Sequence, residues 1–471
     1  MPPQSTKYRR PDIGRLKEIF GADRVSVRPD DLAVYSRDVF PEGEMWTRRG
    51  EVRHRPDCVV WPESVEEVSA LLKYANEAPI PVSPYGGGSG VCGGAIPLEG
   101  GVALDLKRMD KIRNIDHISM SVEAEAGIVG ELLERRLAEA GYTMGHFPSS
   151  IYCSTLGGWL AARSAGQLSS KYGKIEDMAL SLEAVLPDGT IVRTNDAPRE
   201  ATGPDIDQIL IGSEGTLAVI TAARMKLHKK PEAKAYAAFL MPYFTNGIAA
   251  LRLLMRGEIV PAVARLYDEL DTKIALAKQK IEGIGCLLVL LFEGYPERVR
   301  WETETAWGVC MREGAKDLGQ GPARHWEEHR YAISYKQSQV MGTPGSLLDT
   351  IELATVWSNL PNLYNTVRMA IEPLCLVMAH VSHIYLEGAG IYFTCVARPE
   401  DESPEERYKK IWDAAMKAAR ECGATLRHHH GVGYLKAPYM AAQMGPLMDV
   451  YRELKRQLDP NNILNPGKMG L

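Results

Sequence analysis

A mixed α+β fold of at least two lobes is the architecture this sequence predicts, on three observations. The chain has 471 residues, well beyond the roughly 100–200 usual for one domain. Its first half reads as strand–helix–strand units that run into glycine-rich loops. Near residue 231 a Lys–Pro break interrupts the chain, and long helical patterns then alternate with strands such as CLLVLLFEG.

After a polar N-terminal stretch, CVVWPESVEEVSALLKYANEAPIPVSPYGGGSG reads as strand, helix, strand and glycine loop. Ser64 followed by Glu67 spells a capping box, and Val65, Val68, Leu71, Leu72 and Ala75 recur at helical spacing. The short β-prone IPVSP delivers the glycines at a strand end. GVALDL is a second apolar strand, VGELLERRLAEAGY an amphipathic helix, and LEAVLPDGTIVRT a hairpin turning at Pro187, Asp188 and Gly189. No repeat is visible.

The bulk numbers exclude several classes. A hydrophobic content of 45% with 24% charged residues is ordinary for a globular protein, and a net charge of −5 gives no footing for nucleic acid. Eight cysteines without a CxxC pair point to reduced thiols in a cytosolic compartment. No run approaches the ~20 apolar residues of a membrane span; Ile284 to Phe292 is too short. Contact with a membrane surface needs no such span. The terminal Lys468-Met469-Gly470-Leu471 is not an SKL-type address, so the expected location is cytoplasmic, with peripheral membrane contact through the cap.

Pro84-Tyr85-Gly86-Gly87-Gly88-Ser89-Gly90 places flexible residues where a backbone must come close to something. Consecutive glycines can turn several N–H groups around an anion such as a pyrophosphate. The spacing is neither GxGxxG nor a Walker loop, and alone it reads equally as a surface loop. Two further stretches tip the balance: Pro148-Ser149-Ser150 with Ser154-Thr155-Leu156-Gly157-Gly158, and Ile211 to Leu217. Three loops of hydroxyls and glycines beside apolar strands suggest one extended dinucleotide.

In this order PYGGGSG, PSSIYCSTLGGWLA, KYGKIEDM, TGPDID and IGSEGTLAVIT resemble the FAD-binding domain of the vanillyl-alcohol oxidase superfamily. The resemblance implies a two-subdomain, PCMH-type FAD-binding domain over residues 55–231. A 1–54 segment precedes it, an α/β cap domain with an antiparallel sheet covers 232–430, and a 431–471 segment returns to the FAD domain. It also implies pyrophosphate on Gly86 to Gly90 and the isoalloxazine near Ser149, Thr155, Gly157 and Gly158, with Pro84, Tyr85, Pro148, Ser150 and Ser154 as further FAD-binding residues. Further FAD contacts are implied around Asp205, Glu214, Gly215, Thr216 and Ile220. The glycine loop contains no histidine, so FAD is expected to be non-covalent.

Arg427-His428-His429-His430-Gly431-Val432-Gly433 is the most unusual string in the chain. On an extended strand His428 and His430 would share one face and His429 the other; a polar surface run is the plain alternative. A metal site lacks the carboxylate of an HxGDGxH-like partner, since the upstream string reads His380-Val381-Ser382-His383-Ile384-Tyr385. No metal is expected. HHHGVG, with ARLYDELD around Arg265, LATVWSNL, HVSHIYLEGAGIYFT through Tyr392 and LDPNNILNPGK, resembles the alkylglycerone-phosphate (alkyldihydroxyacetonephosphate) synthases.

That resemblance implies exchange of the acyl group of acyl-dihydroxyacetone phosphate for a fatty alcohol through a flavin N5 adduct, a step of ether lipid synthesis. It places His428, His429, His430 and Tyr392 over the flavin, with Tyr392 as acid/base and Arg265 organising the site. A tyrosine of pKa ~10 needs a cationic neighbour to act as a base, which the histidines could supply. Considered alone, Tyr392 reads equally as a core strand aromatic and Arg265 as a domain-bridging salt link. One departure is Tyr335-Lys336-Gln337-Ser338, where the family carries an arginine; a lysine lacks the guanidinium fork that grips a phosphate.

A second reading is an FAD-linked oxidase or dehydrogenase of a 2-hydroxy acid such as D-lactate or glycolate, which shares the terminal NPGK. The third is a non-catalytic flavin-binding subunit, which has no use for a histidine cluster in a cleft. The expected partners are a small-molecule or lipid substrate and a second copy in a homodimer, with no nucleic acid.

Overall fold

Three short strands with every residue but Pro84 buried, Cys58–Val60, Val82–Tyr85 and Val102–Asp105, run parallel in a four-stranded sheet. Val25–Ser26 closes it antiparallel. The structure is a computed structural model that describes residues 7–277, 279–332, 343 and 345–471. The expected helix forms over Val65–Glu77 and buries its five periodic apolar residues. Its cap is one-sided, however: Ser64 accepts from the Glu67 amide at 3.3 Å, while the Glu67 carboxylate accepts from Glu63 N and pairs with Arg24 at 2.7 Å. A basic partner out-competes the reciprocal bond of a capping box.

Residues 112–226 add an antiparallel sheet in the order Ile112–Asp116, Ser121–Glu125, Val219–Lys226, Ala179–Val185 and Ile191–Arg193. The expected hairpin closes with Leu186 N donating to Thr190 O at 2.9 Å. Both sheets contribute to one apolar core. The N-terminal stretch is more than the polar segment expected: Leu16 and Phe20 of helix Ile13–Phe20 enter this core, and Phe40 and Trp46 enter the core of the second half.

From Ala233 onward a seven-stranded antiparallel sheet forms in the order Lys316–Gly319, Ala233–Met241, Cys286–Gly294, Val263–Tyr267, Leu376–Ile384, Gly388–Ala397 and Leu347–Val356. Helices Phe244–Arg256, Pro296–Arg312, Leu360–Ile371 and Pro404–Glu421 share its main core. Among the described residues no helix is long and apolar enough to cross a membrane.

Register decides what the other face carries. Tyr267 pairs with His380, His380 with Tyr392, and Tyr392 with Glu352. With the period of two, Arg265 joins them. Ordinary alternation would turn His383 away, but a β-bulge between Val381 and His383 sets it opposite Gly390, on the Tyr392 side.

The last residues return to the first sheet. Leu464 bridges Val82 in parallel, with Val82 N donating to Ile463 O at 2.8 Å and Asn465 N to Val82 O at 2.9 Å. Lys455 is buried against Asp459 at 2.5 Å and also donates to Thr216 O and Leu464 O. We expect Lys455→Ala to cost about 3 kcal/mol by stranding the Asp459 carboxylate. Urea titration of the purified protein measures it, and an unchanged midpoint refutes the assignment.

Candidate active site

A cavity of about 830 Å³ separates the glycine loops from the carrying face of the seven-stranded sheet. Its wall takes in the whole of 84–90 together with residues 148–150, 154, 155, 157, 158, Glu214, Gly215 and Ile220. Arg265, Tyr392, His429 and His430 complete it from the other side. Three expected residues are not on it. Asp205 is exposed and caps helix Ile206–Leu210 by accepting from Gln208 N at 3.1 Å. Thr216 is buried, its hydroxyl donating to Ser213 O. His428 faces a neighbouring cavity.

The first two loops touch backbone to backbone, and a Cβ on Gly215 of the third would lie 2.9 Å from the Pro84 ring. A Cβ on Gly87 would lie 2.0 Å from the Cys153 carbonyl oxygen. Gly88 sits at φ +61°, where a Cβ would meet the Tyr85 hydroxyl at 2.0 Å. Glycine and hydroxyl residues of three loops thus share one elongated wall, a fit to the pyrophosphate, ribose and ring of a dinucleotide.

Opposite them lies a chain of polar side chains. The Tyr392 hydroxyl is 2.5 Å from His429 Nε2 and 2.9 Å from His383 Nε2. His429 Nδ1 meets His428 Nδ1 at 2.7 Å, so one of the two carries the proton, and His428 Nε2 meets the Tyr385 hydroxyl at 3.0 Å. His383 Nδ1 continues to Ser169 at 2.7 Å. The His380 ring stacks on Tyr392 at 4.8 Å, and an Arg265 Nη2 lies 3.0 Å from His380 Nε2.

The triplet does not alternate as a strand would. It lies in a bend between helix Pro404–Glu421 and the last turn, with His429 and His430 on the cavity. The buried Glu352 carboxylate shapes that bend, accepting from His428 N at 2.7 Å, His430 N at 3.2 Å and Lys436 Nζ at 2.5 Å. Burial opposes both charges, yet Lys436 is held above its usual pKa and Glu352 below. Glu352 therefore stays an anchor although its oxygens lie near ligand atoms of His428 and His429. Glu214 fixes the following turn, accepting from Val432 N and Gly433 N at 2.5 and 2.7 Å.

The histidines are not the expected cations. Burial pushes His428 down to about 3 and His430 down to about 4, and holds His429 and His383 well below the ordinary value. Tyr392 is raised by burial, and the group that pulls it back is Arg265. The site thus holds neutral imidazoles, with its positive charge on arginines: Arg265 near Tyr392, and Arg48 and Arg330 elsewhere on the cavity wall. Sequence reasoning missed His380, His383, Glu352 and Lys436, because no local pattern announces a bulge or a buried pair. The Tyr335-Lys336-Gln337-Ser338 string lies outside the described residues.

Two outcomes follow from this geometry. Gly87→Ala separates the first two loops, so the purified variant should carry much less flavin by visible absorbance than a Gly321→Ala control, where a Cβ meets nothing; equal loading refutes the loop contact. For His428 and His430 the unfolded chain binds protons below about pH 6.5 while the folded one does not. Stability should fall as pH drops from 6.5 toward 4, by up to about 1.4 kcal/mol per pH unit for each group. Chemical denaturation across that range should show a shallower slope in His428→Gln, and an identical slope contradicts the burial of a neutral ring.

Comparison with known proteins shows the family. Residues 56–195 match the family described as FAD binding domain, and residues 230–469 match FAD linked oxidases, C-terminal domain. The alkyldihydroxyacetonephosphate synthase of Dictyostelium discoideum is 33% identical over 90% of this chain and 74% of its own. The FAD-linked oxidoreductase YgcU of Escherichia coli K12 is 33% identical over 97% of each. A solved alkyldihydroxyacetonephosphate synthase superposes with a TM-score of 0.82 at 28% identity, covering 98% of this chain and 86% of that one. The chain belongs to the FAD-linked oxidase family, in the group typified by vanillyl-alcohol oxidase and p-cresol methylhydroxylase, and is an FAD-dependent enzyme.

Proposed function

We propose that this enzyme exchanges the acyl group of acyl-dihydroxyacetone phosphate for a fatty alcohol, as an alkyldihydroxyacetonephosphate synthase does. The observation that carries the reading is the Tyr392 hydroxyl, set on the cavity wall between His429 Nε2 and His383 Nε2. The exchange breaks the carbon–oxygen bond to the fatty acid, which leaves as its carboxylate, and forms one to the alcohol oxygen; it needs a proton taken from the carbon beside a carbonyl and later returned, and another accepted from the incoming alcohol. A neutral tyrosine serves as relay: its oxygen takes the substrate proton while its own proton moves to a neighbouring imidazole. Neutral histidines are the acceptors this requires, and Arg265 favours negative charge developing on the phenol oxygen.

Bound FAD supplies a ring that takes and returns an electron pair, so the exchange is redox-neutral. The glycine loops hold it without a covalent bond, since residues 84–90 include no histidine. Arg265 and Arg330 both line the cavity; among the described residues Arg265 contacts His380, Arg330 lies over the Phe147 and Tyr331 rings, and neither enters an ion pair. Two guanidinium groups suit a phosphate, and Arg330 offsets the arginine absent from 335–338. The second reading is an FAD-linked oxidation of a 2-hydroxy acid such as D-lactate or glycolate. It is favoured by the same Arg265–His380 contact, which suits a carboxylate, and by the likeness to the glycolate oxidase subunit GlcD of Bacillus subtilis, 28% identical over 97% of this chain.

Anaerobic mixing separates them. With palmitoyl-dihydroxyacetone phosphate and hexadecanol the ether product should form with the flavin ending oxidised; lasting bleaching by lactate or glycolate with no ether formed overturns the synthase reading. Tyr392→Phe and His429→Ala should retain flavin and lose at least about a hundredfold in turnover. Near-normal rates in both remove these residues from the mechanism.

A further inference from the structure

Behind the histidine triplet lies a second cavity of about 490 Å³, whose wall shares Ala162, His429 and Glu214 with the first and adds His428. Its polar lining is basic, with Arg163, Lys174 and Arg427 against two carboxylates. Both carboxylates are engaged: Glu176 pairs with Lys174 at 2.8 Å, and Glu214 accepts from Val432 N and Gly433 N.

The two arginines keep their charge unmatched. Arg163 donates only to the neutral carbonyls of Ile211 and Gln208, at 2.9 and 2.6 Å. Arg427 has a single weak contact, with Met444 Sδ at 3.7 Å. Neither enters an ion pair among the described residues. Burial lowers the Arg427 pKa and neighbouring Arg163 lowers it further. A half-buried guanidinium that meets only a thioether is costly unless something anionic visits it. The Tyr451 hydroxyl, on the same wall, has no hydrogen-bond partner among the described residues. Ile209, Met444 and Leu454 supply an apolar side, so there is room for more than a bare ion.

We propose that this second cavity is a ligand site for a small organic oxyanion, a phosphate or carboxylate gripped by Arg427 and Arg163 with Tyr451. A planar guanidinium matches two oxygens of such a group. The site is separate from the flavin cavity and independent of the reaction proposed above. An occupant there lies against His428 and His429, whose Nδ1 atoms contact each other at 2.7 Å, and so touches the back of the relay without touching substrate.

The test is titration calorimetry on flavin-loaded protein with inorganic phosphate and, separately, butyrate. We expect at least one of them to bind. Arg427→Leu should weaken that binding by about tenfold or more, with the flavin spectrum and basal turnover unchanged. Which probe binds identifies the oxyanion. Arg427→Lys, which keeps the charge without the fork, should fall between the two. Arg265→Leu should leave this binding intact. Failure of both probes, equal affinity in Arg427→Leu and wild type, or loss of binding in Arg265→Leu alone would each overturn the site.

Discussion

One buried carboxylate holds the catalytic half of this molecule in shape. Glu352 lies within the seven-stranded sheet and receives the Lys436 ammonium and the amides of His428 and His430. An unpaired charge at that depth would be costly, so the pairing forces the segment after helix Pro404–Glu421 to bend toward the sheet. The bend brings His429 onto the Tyr392 hydroxyl. Because Tyr392 is the register partner of Glu352, the anchor and the hydroxyl it serves stay a fixed distance apart. Glu214 performs the matching task from the first half of the chain, tying the glycine-rich third loop to Val432 and Gly433.

Burial also sets the chemistry. His380, His383, His429 and His430 crowd one wall around Tyr392, and desolvation lowers all four and holds the imidazoles neutral. Neutral rings can accept or donate at either nitrogen, which suits a relay better than a fixed cluster of cations would. The positive charge is confined to arginine, which does not lose its proton. Neutral imidazoles and fixed positive charge are therefore held by different residues around the same cavity.

Much of the flavin half was legible in the sequence because its signals are local. Ser64 and the apolar spacing of Val65 to Ala75 mark a helix, and the PYGGGSG string follows a strand as written. Asp205 and Thr216 belong to the same ordered motifs yet do not reach the cavity: Asp205 is consumed by capping a short helix, and Thr216 by closing its own turn. A motif fixes the backbone path more firmly than the direction of each side chain. The N-terminal stretch misled for a related reason, since its apolar residues are too few to pattern and are divided between two cores.

The residues alone determined that glycine-bearing loops would recur beside buried strands, and that His428, His429 and His430 would stand together. Backbone freedom and apolar periodicity are properties of neighbours in sequence. Tertiary structure decided which rings face the cavity, that a bulge turns His383 toward Tyr392, and that the triplet is neutral while Arg265 carries the charge. Desolvation depends on groups as distant in sequence as Arg265 and Tyr392, the bulge that turns His383 is an irregularity of strand pairing, and no local spacing encodes either.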